Sequence, residues 1–222
     1  MAPPPPAGER DLRTGHLIQA LSRGESVPQR FVYMSTTGVY GDCQGEWVPE
    51  SRPLNPESDR AVRRAHAERQ VRRWGGSCGV RVSILRVPGI YAADRLPLER
   101  LRSGMPVLSP SDDPYTNHVH ADDLARIVAT ALARGRAGRA YNTSDQTCLR
   151  MGEYFDLVAS QLGLPRPPRL SLLEAGTRLP PVVLSFMRES RRLRNDRLRK
   201  ELRFVFRYPT VSDGLAAAIA TT

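Results

Sequence analysis

The 222-residue chain is poor in lysine, in cysteine and in long apolar runs. Lys200 is the only lysine, so almost all of the positive charge is carried by arginine. Cys43, Cys78 and Cys148 are odd in number and far apart, with no C-x-x-C among them. A disulfide framework or a thiolate zinc site is therefore not expected, and free thiols in a reducing cytoplasmic compartment are. No stretch reaches the roughly 18 apolar residues that a membrane helix needs. The opening MAPPPPAGERDLR has no apolar segment after a basic start, so it does not read as a secretory signal. Also missing are Gly-x-Ser-x-Gly, Walker A, His-Glu-x-x-His and any glycine-rich dinucleotide turn.

What is present is strongly basic, with a net charge of +10 and a pI of about 10.3. A basic balance alone admits nucleic acid or an anionic surface. No helix-turn-helix, zinc finger or aromatic RNA-binding signature accompanies it, so neither nucleic acid nor membrane is the expected partner. Arginine also pairs carboxylates and phosphates with two parallel hydrogen bonds. The apolar fraction of 40% suffices for a sizeable core, and the mean hydropathy of −0.41 fits a soluble chain.

Along the chain, residues 1–8 form a Pro-rich lead expected to be disordered. Helical spacing follows over Glu9–Arg23, then a buried strand over Arg30–Met34. A charged helix is expected over Glu57–Trp74, ended by Gly75-Gly76. A second strand spans Val80–Val87, an amphipathic helix Asp122–Arg134, a third short strand Gly138–Asn142 and a helix Met151–Leu162. The remainder reads as Pro-punctuated and helical, with an Arg-rich stretch at 188–200. Strand and helix alternating at this spacing argue for a parallel α/β sheet.

Four segments in order carry a family pattern: VYMSTTGVYGD (32–42), LRVPGIY (85–91), NHVHADDLA (117–125) and AYNTSD (140–145). The closing LRKELRFVFRYPTVSDGL (198–215) adds a fifth. Together they resemble the extended short-chain dehydrogenase/reductases, the epimerase/dehydratase-like proteins. The resemblance implies a Rossmann-like doubly wound α/β sheet, N-terminally truncated, with a small mostly helical cap. The expected division is a lead (1–8), a partial NAD(P)-binding domain (9–145) and a C-terminal substrate region (146–222). It further implies NAD or NADP as cofactor, a small-molecule substrate of the nucleotide-sugar type, and a homodimer. The family's first strands lie beside the strand at 30–34, so an open edge is expected there.

The same resemblance locates the site. The family uses a Ser/Thr and a Tyr-x-x-x-Lys pair, with Tyr as acid/base. Thr36 matches the Ser/Thr. With Ala67-Glu68 as anchor, the Tyr position falls on Arg60 and the Lys position on Arg64. Residues four apart share one helix face. Arginine stays protonated at pH 7 and cannot serve as general base, though it can bind an anion. Thr36, Arg60 and Arg64 are thus the catalytic candidates. Ser35, Thr36, Pro88, Gly89 and Ile90 are the cofactor candidates, and Tyr40 and Tyr91 the substrate candidates. His118-x-His120 resembles a metal pair, but spacing places no third ligand, and no metal is expected. Two functions remain open: an epimerase/dehydratase-like oxidoreductase compromised in this chain, or a non-catalytic protein that binds a nucleotide or anion.

Overall fold

The computed structural model describes residues 8–24, 26–180, 183, 184 and 187–219. Most of the Pro-rich lead therefore lies outside the described residues. Three parallel strands form the central sheet: β1 (Arg30–Thr36), β2 (Arg81–Val87) and β3 (Arg139–Asn142), in the order β1-β2-β3. The β1–β2 register runs from Arg30↔Arg81 to Thr36↔Val87, and β3 continues it from Ser83↔Arg139 to Arg86↔Asn142.

The helices are α1 (Leu12–Arg23), α2 (Asp59–Cys78), α3 (Ala121–Arg134), α4 (Met151–Gln161) and α5 (Val211–Ile219), with shorter turns between them. Strand side chains alternate in direction, and the two faces separate accordingly. Val82 and Ile84 join Tyr33, Val71 and Trp74 under α2. Leu85 and Val87 join Ile127, Leu198 and Leu202 under α3. Helices thus cover both faces of a parallel sheet, the doubly wound arrangement. A third apolar cluster joins Tyr91 and Leu101 to Phe155 and Leu215 of the C-terminal helices.

Helix α2 starts where Ser58 accepts the Ala61 N–H at 3.3 Å. Its end differs from expectation. Gly75-Gly76 lie inside the helix, which stops at Gly79 in the left-handed conformation, φ +68°. Gly75 serves packing instead: a Cβ there would lie 2.6 Å from Val82 Cγ2. Helix α3 also begins differently. His120 Nδ1 accepts the Asp122 N–H, and the Asp123 carboxylate turns away to accept the N–H groups of Arg207 and Tyr208. The side chain that caps this helix is therefore His120. The 188–200 stretch holds a two-residue strand, Arg192–Leu193, paired with Trp47–Val48, and only a short helix, Asp196–Lys200.

Strand β2 is buried from its second residue to its end. Strand β1 is partly exposed, and among the described residues no strand pairs with its outer edge.

Candidate functional site

The C-terminal ends of β1 and β2 point at one cavity of about 640 Å³. Open α/β sheets bind ligands outside the carboxyl ends of their strands. One wall is Thr36, Thr37 and Gly38 leaving β1, with Ser58, Arg60 and Ala61 at the start of α2. The floor is Pro88–Gly89–Ile90 leaving β2. The far wall is Tyr115, Thr116 and Asn117, and Glu189 and Arg191 reach in from the C-terminal region.

Gly89–Tyr91 pairs in parallel with His118–His120, which fixes the floor's backbone. Asn117 ties the floor to the C-terminal segment: its Nδ2 donates to the Arg191 carbonyl, and its Oδ1 accepts the Leu193 N–H, both at 2.9 Å. Arg191 is anchored by Gly41 O at 2.6 Å and Glu189 at 2.7 Å.

The structure brings together five of the nine candidate residues: Thr36, Arg60, Pro88, Gly89 and Ile90. Thr36 Oγ1 accepts the Gly38 N–H at 3.3 Å, which leaves its own O–H free to donate. Arg60 is exposed and has no hydrogen-bond or ion-pair partner among the described residues. Arg64 does not line the cavity and donates to Tyr33 Oη at 3.1 Å.

Ser35 is buried beneath the wall, and Tyr40 and Tyr91 are each 1% exposed. The Tyr40 hydroxyl accepts from Arg86 Nη1 and donates to Asn142 Oδ1, both at 2.8 Å. Burial pushes its pKa above the ordinary tyrosine value. The Tyr91 hydroxyl donates to Thr210 O, and burial raises its pKa too.

Under the cavity runs a buried polar network. Arg86 forms a two-pronged ion pair with Glu68, at 3.2 and 2.9 Å, so Glu68 is not part of a solvated charged face. Side-chain exposures are 5% and 1%. Burial alone would lower the Arg86 pKa, and the Glu68 carboxylate more than offsets that, so the guanidinium stays charged. Nearby, burial pushes Asp145 up to about 7 and His118 down to about 3. Neither lines this cavity.

Sequence reasoning missed Glu189, Arg191, Tyr115 and Thr116. The first two come from a stretch whose periodicity looked helical, and no local pattern marks them. Asn117 opens the NHVHADDLA segment, the one available signal.

The floor and the hydroxyl-bearing wall could hold the ring end of a dinucleotide. Among the described residues no glycine-rich turn links a strand to a helix, so they offer no such cradle for a pyrophosphate.

Comparison with known proteins agrees with this geometry. Residues 13–144 match the family model described as NAD dependent epimerase/dehydratase family. The chain belongs to that family. Protein YeeZ of Escherichia coli is 26% identical over 181 residues, 81% of this chain and 59% of that protein. A functionally unknown conserved protein from Silicibacter pomeroyi is 30% identical, with a TM-score of 0.79, over 94% of this chain and 71% of that one. DesIV, a dTDP-glucose 4,6-dehydratase of Streptomyces venezuelae solved with NAD bound, is 25% identical, with a TM-score of 0.74, over 93% of this chain and 63% of that one. The family is NAD-dependent, and its solved members include NAD and NADPH complexes. The chain spans about 59% of the length of the curated relative it matches over most of its own length. Among the described residues no helix is long and apolar enough to cross a membrane.

Proposed function

We propose that this chain carries the substrate-side half of an NAD(P)-dependent epimerase/dehydratase-like oxidoreductase cleft and does not by itself transfer hydride. One observation carries the reading. The charged α2 residue that lines the cavity, which by resemblance takes the place of the family's acid/base tyrosine, is Arg60. A guanidinium does not release a proton near pH 7, so it supplies no acid/base step. The absent pyrophosphate turn points the same way. The cofactor, when bound, would supply the hydride. Thr36 and the floor at Pro88–Ile90 would orient a ring and a substrate hydroxyl. The substrate class inferred from dehydratase relatives is a nucleotide sugar, and three free thiols suit the cytoplasm.

The test is hydride transfer from dTDP-glucose or UDP-glucose to NAD or NADP by the purified 222-residue chain, followed as reduced nucleotide and keto-sugar product, beside thermal unfolding with each nucleotide. Absence of turnover is expected, and measurable hydride transfer would refute the proposal. The unpartnered cation favours a second reading, a non-catalytic nucleotide- or anion-binding protein. An upward melting shift without turnover supports it.

A further inference from the structure

The charges lining the cavity do not balance. Arg191 and Glu189 neutralise each other at 2.7 Å. The Asn117 amide is spent on the C-terminal segment. Two guanidinium groups outside the lining lie over the Tyr115 ring, Arg150 at 4.9 Å and Arg192 at 4.7 Å from its centroid. Arg60 is left with an unmatched charge. The adjacent Asp59 is one residue away on the helix, and neighbours in sequence do not face each other there. Glu57 Oε1 accepts from the Asp42 N–H and the Asn55 amide. One turn further, Arg63 and Arg64 bring more positive charge, and their hydrogen bonds go to Gly8 O and Tyr33 Oη.

The remaining side chains on the same walls include hydroxyls that can donate. Thr36 has its O–H free, and the hydroxyls of Thr37 and Thr116 have no partner among the described residues. Hydroxyls able to donate around one unmatched cation suit an acceptor-rich, singly charged group. A carboxylate carries one negative charge and two oxygens spaced for the guanidinium fork. A terminal phosphate near neutral pH carries up to two charges, and the lining offers no second unmatched cation. The internal phosphates of a nucleotide sugar carry one each, and Arg60→Gln separates them from a carboxylate.

We infer that the cavity selects a ligand bearing a carboxylate, which Arg60 holds in a two-pronged ion pair beside the Pro88–Gly89–Ile90 floor. This deepens the proposed function and rests on its reading of the cavity as the ligand site. Arg60, a specificity-determining residue on this view, would replace proton transfer with charge recognition at the same place.

The probes are UDP-glucose and UDP-glucuronic acid, which differ by one carboxylate, titrated calorimetrically into the intact chain at low ionic strength. The expected result is binding of UDP-glucuronic acid about tenfold or more tighter than UDP-glucose. Arg60→Gln, on an exposed helix position, should bring that ratio close to one by weakening UDP-glucuronic acid selectively. Arg60→Lys should keep part of it. A wild-type ratio near one overturns the inference but leaves the cavity as a ligand site. If Arg60→Gln weakens both ligands equally, the diphosphate sits on Arg60 and the carboxylate assignment is wrong. A ratio that survives Arg60→Gln also overturns it. Binding of neither probe removes both the inference and the reading of the cavity.

Discussion

Breaking the Arg86–Glu68 pair should unfold this protein far more readily than removing any surface ion pair. Glu68→Gln is nearly isosteric. It keeps one acceptor and removes the charge that faces Arg86 across 2.9 Å in a site where both side chains are almost wholly buried. The remaining partners of Arg86 are the Tyr40 hydroxyl and the Glu50 carbonyl at 3.1 Å, both neutral. An uncompensated buried charge costs about 3–5 kcal/mol. For a chain of this size each kcal/mol lowers Tm by about 2–4 °C, so a fall of roughly 6–20 °C is expected. Scanning calorimetry and urea unfolding check it. The double replacement Arg86→Met with Glu68→Leu should recover part of the loss, because no charge is then stranded. A loss below about 1 kcal/mol for Glu68→Gln, or a double variant no better than the single, would refute the reasoning.

Asp145 gives a pH prediction. Burial raises its folded pKa to about 7, above the ordinary value of 3.8. Between those values the unfolded chain has lost the proton and the folded chain keeps it. Stability should therefore fall as pH rises from about 4 to about 7, by up to about 1.4 kcal/mol per unit, and level off above. Asp145→Asn should remove that slope, and an unchanged profile in the variant counts against it. Tyr40→Phe severs the Arg86 and Asn142 contacts and should cost about 1–3 kcal/mol. As Tyr40 does not line the cavity, the variant should bind nucleotide like the wild type, and a selective loss of binding would restore its substrate role. Gly75→Ala forces a Cβ against Val82 and should cost about 1–3 kcal/mol in chemical denaturation.

Much of the architecture was legible because the signals were local. The apolar run at 30–34 and VRVSILRV extended into β1 and β2, and the amphipathic spacing at 122–134 became α3 within a residue. Boundaries failed where tertiary packing outranked local chemistry. Gly75-Gly76 look like a helix stop, yet the close approach of α2 to Val82 requires the first of them inside the helix. The site was half legible. Thr36, Arg60 and Pro88–Ile90 arrived through motif order. Arg64 was a candidate because it falls on the family's Lys position, but one turn beyond Arg60 it donates to Tyr33 and does not line the cavity. Arg191 arrives from 131 residues beyond Arg60 in the sequence, and no periodicity encodes such a contact.

Among the described residues the outer edge of β1 is unpaired, and that has its own consequence for handling the protein. Its seven residues, RFVYMST, contain no proline, and the only charge stands at one end. Placed antiparallel against a copy of itself about Tyr33, the strand would set Phe31 opposite Ser35 and Val32 opposite Met34, and Arg30 would meet Thr36 rather than another arginine. Nothing in that register repels, so the edge lacks the charged or kinked guards with which sheet proteins keep their borders monomeric. Self-association through this strand would be concentration-driven and would compete with binding measurements made on the chain. A lysine or glutamate at position 32 or 34 on that strand would act as the missing guard.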